Sequence, residues 1–87
     1  MLNVTIRSLQ RALLERWITS VRLPGAAGEF EVLGFHVPFM AALTAGKLWI
    51  ENQKGVSPLF EVLPIRGGLA WLASDRLIIL VEETRPR

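Results

Sequence analysis

Residues 8–23 read SLQRALLERWITSVRL, and the fold class turns on whether this stretch is helix or strand. Leu9, Ala12, Leu13, Arg16 and Trp17 recur at helical spacing, and Ser8 stands where an N-cap would. A second pattern overlies the first. From Leu13 onward, Leu13, Glu15, Trp17, Thr19, Val21 and Leu23 alternate with Leu14, Arg16, Ile18, Ser20 and Arg22. The β-branched residues within 18–21 favour strand. Local signals leave both readings open, a helix over 9–18 or an extended chain.

The flanking sequence reads as strand, and the stretch itself stays undecided. Leu2, Val4 and Ile6 alternate with Asn3, Thr5 and Arg7, the pattern of a strand buried on one face. Leu48 and Ile50 alternate with Lys47, Trp49 and Glu51 after Gly46. Asn52-Gln53-Lys54-Gly55 reads as a turn and Leu59 to Leu63 as the returning strand. Gly67-Gly68 reads as a further break. Leu69 to Ala73 and Arg76 to Val81 flank the compact turn signal Ser74-Asp75. Arg76–Val81 is apolar on both faces, as expected of a central strand between two layers. Phe39–Leu43 fits either a strand or one helical turn. A sandwich built this way takes its core from Val4, Ile6, Val21, Leu23, Val32, Leu48, Ile50, Val62, Leu69, Leu77 and Ile79.

The 87 residues make one domain, 1–87, with room for one small core. There is no cysteine, hence neither a disulfide framework nor a thiolate metal site. A hydrophobic content of 51% and a mean hydropathy of +0.35 are high for so small a chain, which points to apolar surface that meets another subunit. The net charge is +2, and the cations are scattered from Arg7 to Arg87 without a basic stripe, which argues against nucleic acid as a partner. The longest aliphatic run, Leu77–Val81, is too short for a bilayer-spanning helix. The N-terminus lacks a basic region followed by an apolar core, so the expected compartment is the cytoplasm.

Little in the sequence carries chemistry. His36 is the one imidazole, and no G-x-S-x-G or cysteine nucleophile accompanies it. One histidine with scattered carboxylates does not make a zinc site. Glu29 and Glu31, like Glu82 and Glu83, could pair as acid and base, but solvated charge is the commoner meaning of such spacing. Gly25, Gly28 and Gly34 lack the Gly-Lys-Ser/Thr of a phosphate loop. No catalytic residue, cofactor or metal is expected.

The segment Leu23–Ile50, LPGAAGEFEVLGFHVPFMAALTAGKLWI, resembles the N-terminal domain of the epsilon subunit of F-type rotary ATP synthases. The likeness rests on Leu23-Pro24-Gly25, Gly28-Glu29-Phe30, His36-Val37-Pro38 and Ala42-Leu43 before Gly46. It continues through Gly67-Gly68-Leu69 to Leu80-Val81-Glu82. The chain departs from the family pattern at Gly34-Phe35, at Ala70-Trp71 and at Ser8-Leu9-Gln10.

The resemblance implies an all-β fold, a flattened sandwich of two mostly antiparallel sheets with about ten short strands, and hence strand rather than helix over 12–23. It implies a non-catalytic rotor subunit of the central stalk in a proton- or sodium-translocating synthase. The implied partners are the gamma subunit and the polar loops of the membrane c-ring. By the same resemblance, Ala26, Gly28 and Glu29 lie in a loop facing the c-ring, and Ser8, His36, Pro38 and Ala41 lie on the gamma side. The expected location is the cytoplasmic face of the bacterial inner membrane, peripheral and through the complex alone. The chain stops where the family's C-terminal helical hairpin begins, with Pro86 disfavouring helix, which implies a short form without a self-inhibitory switch or nucleotide site. Two other readings stand beside this one: a free-standing interaction or regulatory module with the same sandwich, and a small enzyme using Glu29, Glu31 and His36.

Overall fold

In the computed structural model, residues 1–34, 37–54 and 57–84 are described, and every regular element among them is a strand. His36, Gly55 and Pro86 lie outside the described residues. The strands are β1 (Leu2–Arg7), β2 (Ala12–Ile18), β3 (Ser20–Gly25), β4 (Gly28–Leu33), β5 (Phe39–Leu43), β6 (Gly46–Lys54), β7 (Ser57–Ala73) and β8 (Arg76–Glu83).

Hydrogen bonding links them in the order β2-β1-β8-β7-β5-β3-β4, with β6 between β3 and β7. The first half of β7 pairs with β6, from Lys54↔Ser57 to Gly46↔Ile65. Its second half pairs with β5 and β8. One strand therefore serves two layers: β2-β1-β8-β7-β5 on one side, and β4-β3-β6 with the start of β7 on the other. All pairings are antiparallel except β1 with β8. The described residues form eight strands where about ten short ones were implied, because β7 runs unbroken for 17 residues.

The undecided segment is extended. Ser8 does cap a turn: its Oγ accepts hydrogen bonds from the N–H groups of Gln10 and Arg11, both at 3.2 Å. The Ser8 N–H in turn donates to the Arg11 carbonyl at 2.9 Å. This closes a tight connection from β1 into β2 instead of starting a helix. β2 then lies antiparallel to β1, with Ile18 beside Leu2 and Leu14 beside Ile6. Pairing and burial of Ile18 outweigh the local helical spacing, as tertiary context generally outweighs propensity.

The core holds nine of the expected residues, from Val4 and Ile6 to Leu77 and Ile79, joined by Leu2, Ile18, Leu43, Ile65, Ala70, Leu72 and Val81. Val62 and Leu69 do not belong to it. Val62 is 42% exposed, and Leu69 is half-buried on the outer side. Both miss by one position. On β7 the inward residues are Leu63 and Ile65, then Ala70 and Leu72, so the alternation changes from odd to even. The register shifts where Ile65 pairs with Glu83 and Gly67 with Glu82, leaving Arg66 as a bulge. An extra residue flips every later side chain to the opposite face.

Two turn readings also change. Gly67-Gly68 lies inside β7, because a Cβ at Gly68 would sit 2.3 Å from the Leu80 carbonyl oxygen. The glycine there permits close backbone approach within the ladder, and the chain does not break. Asn52–Lys54 continue β6 instead of turning. Ser74-Asp75 turns between β7 and β8 as its sequence predicts, with Ala73 paired to Arg76.

Candidate interaction surfaces

Ala26 and Ala27 form a two-residue connection between β3 and β4, closed by the pair Gly25↔Gly28. Gly28 has φ +135°, a conformation that side-chain-bearing residues rarely adopt, so the glycine is required by the turn. The tip is fastened from the side. Ala26 N–H donates to the Ala42 carbonyl at 2.9 Å, and Thr44 N–H donates to the Pro24 carbonyl at 2.8 Å. Beside it, Phe30 and Phe39 meet edge to face with centroids 5.5 Å apart, and with Met40 they line a shallow apolar groove. Ala26, Gly28 and Glu29 are all exposed at this tip, as one cluster. Glu29 lies 3.9 Å from the Arg22 guanidinium and is open to solvent.

The other expected positions are not brought together in this way. Ser8 is buried at the end of β1, where its hydroxyl serves the turn. Ala41 is half-buried on the core side of β5, and Pro38 is exposed just before β5. Ser8 and Ala41 thus mark the two flanks of one layer, with β8 and β7 between them. The surface that this layer turns outward consists of other residues. One row crosses Thr5, Ile78, Trp71 and Met40, each the direct neighbour of the next. The next row crosses Arg7, Leu80, Leu69 and Ala42. Met40 is 71% exposed, and Ile78, Trp71, Leu80 and Leu69 are each partly open.

The sequence held a signal for this face. The two-sided apolar character of Arg76–Val81 was expected to mean cover on both sides. β8 is indeed central within its layer, with Leu77, Ile79 and Val81 inward. Its other side, Ile78 and Leu80, faces away from the core and is half-buried, with no second layer over it among the described residues. An apolar outward row on a central strand marks a place for another molecule. At one end of the face, Arg11 straps the β1–β2 turn to β8 through Glu83, Nη2 to Oε1 at 2.8 Å. The Glu83 carboxylate holds the Arg11 guanidinium above its usual pKa, first through the hydrogen bond and then through charge.

The candidate acid pairs stand apart from one another. Glu29 and Glu31 stand on the open outer side of β4, and Glu83 is engaged by Arg11. Among the described residues no three His, Cys, Asp or Glu side chains cluster as metal ligands. No helix among them is long and apolar enough to cross a membrane.

Residues 1–86 match the family model described as ATP synthase, Delta/Epsilon chain, beta-sandwich domain. The chain belongs to this family. The ATP synthase epsilon chain of Caulobacter vibrioides is 33% identical over 81 residues, which cover 93% of this chain and 90% of that one. Those of Maridesulfovibrio salexigens and Nitratidesulfovibrio vulgaris are 31% and 30% identical. Of these two longer relatives the chain spans 48% and 58%. The fold agrees with chains in two solved assemblies. One is the Euglena gracilis mitochondrial ATP synthase, with a TM-score of 0.86 at 22% identity, covering 98% of this chain and 52% of that one. The other is the central stalk and c-ring of the Tetrahymena thermophila mitochondrial ATP synthase, with a TM-score of 0.79 at 16% identity, covering 94% and 63%.

Proposed function

We propose that the chain is a non-catalytic epsilon-type subunit of the central stalk of a proton- or sodium-translocating F-type ATP synthase. In this reading its outer face, centred on Trp71, Ile78, Leu69 and Leu80, packs against the gamma subunit. The β3–β4 tip with Ala26, Gly28 and Glu29 meets the polar loops of the c-ring. It acts at the cytoplasmic face of the bacterial inner membrane, held there by the complex. The observation that carries the reading is the match to the Caulobacter epsilon chain over nine-tenths of both chains. The physical argument agrees with it: the domain offers apolar area and a rigid tip, and its carboxylates are dispersed over open surface. Such a domain transmits force by binding and makes no bonds itself.

The test is reconstitution of the synthase with and without the chain, measuring ATP hydrolysis and ion pumping together. Loss of pumping per ATP without the chain supports coupling. A chain that never co-purifies with gamma, and whose omission leaves pumping intact, identifies a free-standing module instead.

A further inference from the structure

β5 belongs to both the outer face and the hairpin tip. Its outward residues, Met40 and Ala42, are direct neighbours of Trp71 and Leu69 and continue their rows to the margin of the layer. The strand then ends beside the tip. Leu43, its last residue, is buried and pairs with Gly68 on one side and with Gly25 on the other. Ala42 thus serves two places at once. Its side chain lies in the outer row, while its carbonyl accepts the Ala26 N–H at 2.9 Å.

Three contacts hold the tip against the end of β5 and the start of β6. Two are the hydrogen bonds flanking the pair Gly25↔Leu43, one from Ala26 N–H and one from Thr44 N–H to the Pro24 carbonyl at 2.8 Å. The third is steric. A Cβ at Gly46 would lie 2.8 Å from the Pro24 Cβ and 3.1 Å from its Cγ, so the pyrrolidine ring rests directly on the glycine backbone. That ring cannot swing aside as the end of a long side chain can. Gly46 does not have the positive φ of Gly28, so it is the close approach of Pro24 that reserves the position for glycine.

We infer that Thr44 and Gly46 are positioning residues, which lock the β3–β4 tip to the layer bearing the outer face so that load on the tip reaches that face without bending the hairpin. A two-stranded hairpin without further support is only marginally stable. Ala26, Ala27 and Gly28 are exposed and bury no apolar area of their own, so their order depends on the lock. A tip ordered before docking also avoids the cost of being ordered by its partner. The inference rests on the stalk reading, in which the tip meets the c-ring and the outer face meets gamma, and it adds which residues hold the one in place against the other.

Three variants test it. Gly46→Ala sets one methyl group against Pro24, and Thr44→Pro removes the donated N–H. Thr44→Val keeps the N–H and changes only an exposed side chain. Circular dichroism melts identify the folded variants. In the purified full chain, hydrogen exchange followed by NMR should quicken about tenfold or more at Ala26 in Gly46→Ala and in folded Thr44→Pro, with the β1 and β8 amides unchanged, and Thr44→Val should match the unaltered chain. In the reconstituted synthase, Gly46→Ala should lower ions pumped per ATP about twofold or more, while its recovery with gamma stays at the unaltered level. Ile79→Val, which trims the core at β8, should pump as the unaltered chain does. Unchanged exchange at Ala26 in a folded Gly46→Ala chain overturns the inference, and so does an equal loss of pumping in Ile79→Val. Full pumping by the unaltered chain and by Gly46→Ala alike overturns the inference alone. An unaltered chain that neither binds gamma nor raises pumping overturns the stalk reading, and the inference with it.

Discussion

Ser74 opens the turn between β7 and β8 with φ 57°, the left-handed region that costs an L-residue about 1 kcal/mol. Two-residue hairpins prefer glycine at such a position, and serine is a compromise there. Ser74→Gly removes the steric cost and gives back part of it as unfolded-chain entropy. The expected net gain is about 0.5 kcal/mol, a rise in Tm of about 2–4 °C in a thermal melt. The turn is a favourable place for the test because Asp75 anchors the N-terminal strand, its carbonyl accepting from Asn3 N–H at 2.9 Å. The Arg11–Glu83 pair gives the contrasting case. Arg11 is exposed, and on its side the raised pKa places loss of the pair far above neutral: its contribution is present below the ordinary arginine pKa and fades as pH climbs past the raised one. An exposed pair is also screened by salt. Glu83→Gln should therefore leave the melting temperature nearly unchanged from pH 6 to 9, most clearly at high ionic strength.

β7 separates what the sequence reveals about an element from what it hides. Val62 faces outward and Ile65 inward, as residues three apart on an extended strand must, and the bulge at Arg66 then carries the inward side from odd to even positions. Ile65→Ala removes a fully buried side chain and should cost about 2–4 kcal/mol in denaturant unfolding. Val62→Thr, on the open face, should stay within about 0.5 kcal/mol. Equal costs would contradict this assignment of the two faces. The alternation of β1, β3 and β6 is legible because each keeps one parity from end to end, and every core residue expected from Val4 to Ile50 lies in the core. A bulge erases that legibility, since no local pattern announces which residue is extra. β2 was ambiguous for a different reason. Its order comes from β1 across the sheet and from the Ser8 turn, so the sequence of β2 alone specifies neither state. The hairpin tip entered only through the resemblance, and the structure closes it with Gly25 paired to Gly28 and Ala26-Ala27 between them. In the sequence the apolar outer face shows only as a two-sided β8, which reads as interior, because sequence records that a residue is apolar and not which molecule covers it.

For the molecule as a whole, two surfaces at different places lead to different expectations for a stalk subunit. The face around Trp71 offers contiguous apolar area, where a few buried aromatic and aliphatic residues dominate binding. The tip offers a small polar footprint, where a solvated carboxylate contributes little on its own. Trp71→Glu should therefore abolish recovery of the chain with the gamma subunit while leaving its melting temperature within a few degrees, since Trp71 is outside the core. Glu29→Ala should weaken assembly by less than about threefold, within the range of an exposed charge. A bulky residue at Gly28 should do more harm, because φ +135° cannot be kept and the tip must change shape. Orientation is tested separately from strength. A photo-reactive side chain at position 29 should capture the ring subunit, and one at position 80 should capture gamma, because the two positions belong to different surfaces of the domain. Capture of gamma from position 29, with none of the ring, would mean that the domain sits in the stalk the other way round. The apolar face would then need a different partner to cover it.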